Sequence, residues 1–166
     1  MGLISGLVDA IILVFSAVLA IATPLIDSQT IVPSHLYPSA LIELKQWYRD
    51  QYGDYLMQEE PHFFVGLVWV EILFLWPLCL LNIYGILRRK NWVKTTLIMA
   101  GVCSATSMAC IMAELLGSGR ASDKLLQMYV PFVAFAVLAT LRGLFPPRRR
   151  SSSAASTSHS SRKKRV

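Results

Sequence analysis

Residues 63–81 read FFVGLVWVEILFLWPLCLL, an unbroken apolar run with one ionisable carboxylate, Glu71, and this stretch sets the class of the whole chain. A helix needs roughly 20 mostly apolar residues to cross about 30 Å of hydrocarbon. The run belongs to a stretch of that length, and three others lie around it, so the expected spans are residues 3–26, 62–87, 95–116 and 125–145. With 54% of its 166 residues hydrophobic and 16% charged, the chain is too apolar for an ordinary soluble domain. The first apolar run has no basic segment before it and carries Asp9 near its start, so it reads as a permanent span rather than a cleaved leader.

The expected fold class is an all-α membrane protein with four transmembrane helices in an antiparallel bundle. Residues 1–146 form the membrane domain and residues 147–166 a disordered, basic, Ser-rich cytosolic tail. The net charge of +6 belongs to that end of the chain: residues 142–166 hold eight Lys/Arg and no acid, leaving eight bases against ten acids elsewhere. No folded basic surface with interleaved aromatics accompanies the arginines, which argues against nucleic acid as a partner. Cys79, Cys103 and Cys110 all fall in apolar runs, with no disulfide framework or metal spacing among them, and no cofactor is called for.

An even number of spans puts both ends on one side, and the Lys/Arg asymmetry says which. Arg88, Arg89, Lys90 and Lys94 follow span two, and Arg142, Arg148–Arg150, Arg162, Lys163, Lys164 and Arg165 follow span four. Only Lys45, Arg49, Arg120 and Lys124 face the other way. By the positive-inside rule the termini and the 88–94 turn are cytosolic, and the 27–61 and 117–124 connections lumenal or extracellular. Lys163 and Lys164 stand fourth and third from the carboxyl end, the spacing of the dilysine signal that coat proteins read to return membrane proteins to the endoplasmic reticulum. The same bases also suit contact with anionic membrane lipid.

Within the 27–61 connection, PSALIELKQWYRDQYGD opens on a helix-compatible proline. It places Leu41, Leu44, Trp47 and Tyr48 on one face, with Glu43, Lys45, Gln46, Arg49 and Asp50 mostly on others. This predicts a lumenal amphipathic helix between spans one and two, packing the mouth of the bundle or gating it.

Two acids stand at the membrane. Glu71 is nine residues in from His62, Ser107 nine from Leu116 and Phe132 seven from Leu125, a shared depth of about 10–14 Å. A mid-span carboxylate costs about 2.5–3.5 kcal/mol on insertion scales and normally faces the interior with a partner. No Lys or Arg of the spans lies near the level of Glu71. Three options follow: a protonated Glu71, a hydrogen-bonded carboxyl pair with Asp27, or a cation brought by a ligand. The expected arrangement is a protonated Glu71 that donates to ionised Asp27, which is then free to meet a cationic or hydroxyl-bearing ligand. Pro24 should kink or end the first helix by clashing with the Ala20 carbonyl, and Asp27 follows directly. Asp27 then reads either as a boundary residue or as a working carboxylate turned toward Glu71. Glu114 reads as interfacial.

The motifs LIDSQTIVPSHLYP, KQWYRDQYGDYLMQEEP, VEILFLWP, NWVKT and YVPF together resemble the sigma-2 receptor (transmembrane protein 97) family of the EXPERA superfamily, over about residues 5–145. That resemblance implies a four-helix protein of the endoplasmic reticulum membrane that dimerises. It also implies a membrane-facing pocket for sterols, oxysterols and cationic amphiphilic amines, and a role in sterol homeostasis with a Niemann–Pick type C cholesterol transporter as a partner. The family's ammonium-binding aspartate corresponds to Asp27, its partner glutamate to Glu71 and its loop aspartate to Asp54. A pocket threonine corresponds to Ser107, and two span-four tyrosines to Tyr129 and Phe132. Two polar groups of the pattern are absent, since Phe132 lacks the phenol oxygen and Leu75 stands where the family has glutamine.

Two other classes compete with the binding protein. The emopamil-binding branch of the superfamily isomerises a sterol double bond with a histidine one turn before the span-two glutamate, and that position is Leu67 here. His35, His62 and His159 lie at or beyond the span boundaries, out of reach of a buried olefin, so no enzymatic activity is expected. A four-span scaffold without a small-molecule site explains the length and the tail but gives Glu71 no reason to be there.

Overall fold

The computed structural model describes residues 3–146, so the expected tail at 147–166, with Lys163 and Lys164, lies outside the described residues. The described chain is all-α. Helix α1 (Leu3–Leu25) leads through two short 3-10 turns, Asp27–Thr30 and Ser34–Leu36, into α2 (Ser39–Tyr52) and α3 (Tyr55–Glu59). Helix α4 (His62–Val70), a π-helical turn (Glu71–Leu75) and α5 (Trp76–Leu87) are continuous, and α6 (Val93–Gly117) and α7 (Asp123–Leu144) complete the described chain. Four stretches are long and apolar enough to cross a membrane: Ile4–Thr30, His62–Leu87, Val93–Gly117 and Asp123–Leu144. They match the expected spans to within a few residues.

Burial is arranged as hydrocarbon solvent requires. On α1 the exposed side chains are Ile4, Leu7, Val14, Val18 and Ile21, whereas Ile12, Ser16, Leu19 and Thr23 are buried. Large apolar groups facing outward cost nothing in lipid, so packing rather than hydrophobicity decides the inner face. The exposed Leu73, Leu80, Leu81 and Leu87 continue that outer surface on the second span.

The interior holds two apolar clusters. One gathers Ile12, Leu19, Leu78, Leu97, Ala100 and Phe135, with Phe15 stacked on Phe135 at 5.7 Å and edge-on to Phe132 at 5.8 Å. The other gathers Leu56, Phe64, Val68, Ile111, Leu115 and Leu125. Helices α6 and α7 approach closely because two glycines permit it. A Cβ on Gly101 would stand 2.6 Å from the Thr140 backbone nitrogen, and one on Gly143 would stand 2.6 Å from the Lys94 carbonyl oxygen. No side chain fits at either point.

Beside the first cluster Arg142 of α7 closes on α1. Its Nε and Nη2 donate to the two Asp9 oxygens at 2.7 and 2.8 Å, and Nη2 also reaches Ser5 Oγ at 3.2 Å. Asn82, fully buried in α5, has no hydrogen-bond partner for either amide atom.

The helix predicted after Pro38 forms, and it ends where Gly53 adopts φ +63°, the left-handed C-cap conformation that favours glycine. Its burial departs from the residue pattern. Leu44 and Trp47 are exposed, and the buried residue of α2 is Lys45, which the pattern placed among the polar positions. The physical reason is pairing: Lys45 Nζ donates to Glu60 Oε1 at 3.1 Å and to Thr30 Oγ1 at 3.3 Å.

Candidate functional site

The site is built where α1 runs out. Pro24, one residue before the end of α1, has no N–H to give to the Ala20 carbonyl. That carbonyl accepts the indole N–H of Trp76 at 3.0 Å, which ties the end of α1 to the start of α5. Beyond Leu25 the chain enters the Asp27–Thr30 turn. Ser28 anchors the turn by donating to the Pro24 carbonyl at 2.7 Å while sharing a 2.6 Å hydrogen bond with the Tyr37 hydroxyl. Gln29 Nε2 adds bonds to the Leu25 and Leu41 carbonyls at 2.6 and 3.2 Å. The backbone that carries Asp27 is therefore held from three sides.

Glu71 opens the π-helical turn, in which the Trp76 N–H reaches back to the Glu71 carbonyl. Pro77, immediately after, would clash with the carbonyl four residues earlier in an ordinary α-helix, and the wider turn relieves that. Such single π turns occur frequently at functional sites. The carboxylate is half-buried and accepts the Thr23 hydroxyl at 2.7 Å. The Glu71-to-Asp27 hydrogen bond expected from the sequence is not made; Thr23 supplies the donor instead. Asp27 is half-buried and receives no hydrogen bond among the described residues, although Glu71, Lys45 and Asp54 all lie within Coulombic reach of it.

Glu71, Ser107 and Phe132 are brought together: they line one cavity of about 50 Å³, walled also by Leu67, Leu75 and Ser104. Asp54 and Tyr129 form a separate cluster. Asp54 is fully buried and accepts the Tyr129 hydroxyl at 2.9 Å and the Tyr48 hydroxyl at 3.3 Å. It also accepts the Leu56 and Met57 backbone N–H groups at 3.1 and 3.3 Å, capping α3. Burial, followed by the Asp54 charge beside it, holds the Tyr48 phenol above its ordinary titration range, so it remains a donor. Asp54 thus locks α2, α3 and α7 into one rim. A second contact crosses the same rim, where the Arg120 guanidinium pairs with Glu59 and lies 4.0 Å over the Tyr55 ring. That hydrogen-bonded pairing holds the exposed Glu59 carboxyl below its usual range.

Thr23, Ser104, Tyr48 and Lys45 were not among the site residues expected from the sequence. Thr23 had a signal, being a polar residue in an apolar run immediately before Pro24 and one turn before Asp27. Lys45 had none, because a lysine at a polar helical position reads as solvated. Leu67 lines the cavity one turn before Glu71, and His35 and His62 are exposed.

Comparison with known proteins gives three findings. A sequence model of the EXPERA family (the expanded EBP superfamily) matches residues 40–143, which takes in Asp54, Glu71, Ser107, Tyr129 and Phe132 and begins after Asp27. The sigma intracellular receptor 2 of Xenopus tropicalis is 29% identical over 139 residues, covering 76% of this chain and 81% of that protein. The sigma intracellular receptor 2 proteins of Macaca fascicularis and Homo sapiens are each 30% identical over 95 residues, covering 57% of this chain and 54% of their own length.

Proposed function

This chain belongs to the EXPERA family, the expanded EBP superfamily, and is related at modest identity to sigma intracellular receptor 2; on that premise we propose that it is a membrane-embedded binding protein for sterols and hydrophobic amines. It acts in the endoplasmic reticulum membrane as an antiparallel four-helix bundle. Both termini and the dilysine of the 147–166 tail are cytosolic, and α2 and α3 close the lumenal mouth. Its place there is sterol homeostasis, with homodimerisation and a cholesterol transporter as the associations the family resemblance implies.

The observation that carries the reading is the pair of acids at one end of the apolar bundle. The Asp27 carboxylate receives no hydrogen bond among the described residues and lies within Coulombic reach of Glu71, and Glu71 lines a cavity that is otherwise mostly apolar. Few convergent polar groups on apolar walls are what a small-molecule site needs. A cavity of about 50 Å³ is far below the roughly 300 Å³ or more that a drug-sized ligand occupies, so entry requires the walls to part. Binding rather than double-bond isomerisation is favoured because Leu67 occupies the place of an acid–base histidine, and the two described histidines are exposed and do not line the cavity.

The test is equilibrium binding of a radiolabelled hydrophobic amine and a labelled oxysterol to the full chain in nanodiscs. Asp27→Asn is expected to weaken the amine by about 30-fold or more, the range for removing a desolvated charge partner, with thermal stability unchanged. Glu71→Gln, which keeps the bond to Thr23, is expected to weaken it less than Glu71→Ala. Normal amine binding by Asp27→Asn would remove the carboxylate from the site.

A further inference from the structure

Lys45 is the anomaly of this end of the molecule. It is only 6% exposed, on a helix whose Leu44 and Trp47 face outward. Taking an ammonium out of water is costly unless it is well matched, and Lys45 uses two of its three donors, on Glu60 Oε1 and Thr30 Oγ1. Both partners are fixed by backbone. Glu60 terminates α3 with φ +46°, a left-handed conformation that a side-chain-bearing residue keeps only when its surroundings impose it.

Thr30 ends the 3-10 turn that Asp27 begins. In a 3-10 turn, residues three apart eclipse, at a rise of about 6 Å. An ammonium seated on the Thr30 hydroxyl therefore stands on the same face as the Asp27 carboxylate, one short turn away. Among the described residues Lys45 is the one cation within Coulombic reach of Asp27.

This arrangement presents a ligand with an acceptor, Asp27, and a donor with one N–H to spare, Lys45. A hydroxyl matches both, donating to the carboxylate while accepting from the ammonium. A protonated amine matches only the first: it has no lone pair with which to accept from the ammonium, and the two positive charges repel. We propose that Lys45 is a specificity-determining residue of this site, a resident counter-ion that makes it select neutral, hydroxyl-bearing lipids over protonated amines. The inference rests on the binding reading above and narrows its ligand class.

The experiment compares Kd values for a radiolabelled hydrophobic amine and an oxysterol on the full chain in nanodiscs. The variants are the wild type, Glu60→Gln, and the double variant Lys45→Met with Glu60→Gln, which removes both charges together and leaves no orphan. The double variant is expected to bind the amine about tenfold more tightly and the oxysterol no better, shifting the ratio of the two Kd values tenfold. Glu60→Gln alone releases Lys45 toward Asp27 and is expected to move the ratio the opposite way. A ratio unmoved in a double variant that keeps the wild-type Tm overturns the inference and leaves the binding reading standing. If the double variant does not fold, an unmoved ratio in Glu60→Gln overturns it in the same way. Wild type that binds neither ligand removes the site, and this inference with it.

Discussion

At one end of α1, Asp9 accepts both arms of Arg142, which also donates to Ser5; at the other, the Asp27 carboxylate accepts no hydrogen bond among the described residues and has only charges at a distance. The two aspartates belong to one membrane span, and both are half-buried. Asp9 is consumed by structure: its two oxygens and the guanidinium fork match, and both side chains are 13% exposed. Asp27 sits on a backbone fixed by Ser28, Gln29 and Trp76, with its charge unspent. Under the proposed binding function, a rigid mount and an open carboxylate suit a group whose partner arrives with the ligand.

The largest expected effect breaks the closed end. Arg142→Met leaves Asp9 buried without its cation, and breaking such a pair costs about 3–5 kcal/mol, so a substantial fall in Tm in detergent is expected. Ligand affinity of the protein that remains folded is expected to be unchanged. Asp27→Asn is the mirror case, with affinity lost and Tm kept. If Arg142→Met instead left Tm in place while Asp27→Asn lowered it, the assignment of the two ends would be reversed.

Legibility in the sequence followed the range of the interaction. The spans were readable because hydropathy is a local sum, and the consequence of Pro24 was readable because its clash lies four residues away. Glu71 was visible as a carboxylate at depth for the same reason. What escaped was the identity of partners. Thr23 answers Glu71 across 48 residues and Tyr129 answers Asp54 across 75, and nothing local says which carboxylate each hydroxyl will meet. Lys45 is the instructive failure: helical periodicity placed it among the polar positions, and a carboxylate 15 residues on made it affordable inside.

A second, smaller effect concerns the space between the ends. Ser107→Leu puts three extra carbon atoms into a cavity of about 50 Å³ that Glu71, Leu75 and Phe132 share. Filling an existing void adds packing contacts without forcing the neighbours apart, so Tm is expected to hold or rise by a degree or two. Oxysterol and amine affinity are expected to fall together, each by about tenfold, because the change is steric and blind to charge. That common loss separates Ser107 from Lys45, whose replacement moves the two ligands apart. Loss of the amine alone from Ser107→Leu would mean that the two ligands do not share this cavity.

The smallest effect tests whether an unmatched polar group by itself marks a binding site. Asn82 is as buried as any residue in the bundle, and neither its amide nitrogen nor its carbonyl oxygen has a partner, yet it lies among Leu78, Cys79 and Gly85 of α5, away from both acids at the Asp27 end. A buried, unmatched amide costs about 1–3 kcal/mol, whereas an apolar group of the same branching costs nothing to desolvate. Asn82→Leu is therefore expected to raise Tm modestly, by about 1 kcal/mol of stability after allowance for the bulkier methyls, with ligand affinity unchanged. Scanning calorimetry or a thermal shift in nanodiscs reads it. A fall in Tm would mean that the amide is matched in the membrane, and that lacking a partner is no ground for distinguishing Asp27 from Asp9. A rise would leave Asn82 as a simple cost and Asp27 distinguished by what surrounds it: a fixed turn, a second carboxylate and a buried lysine.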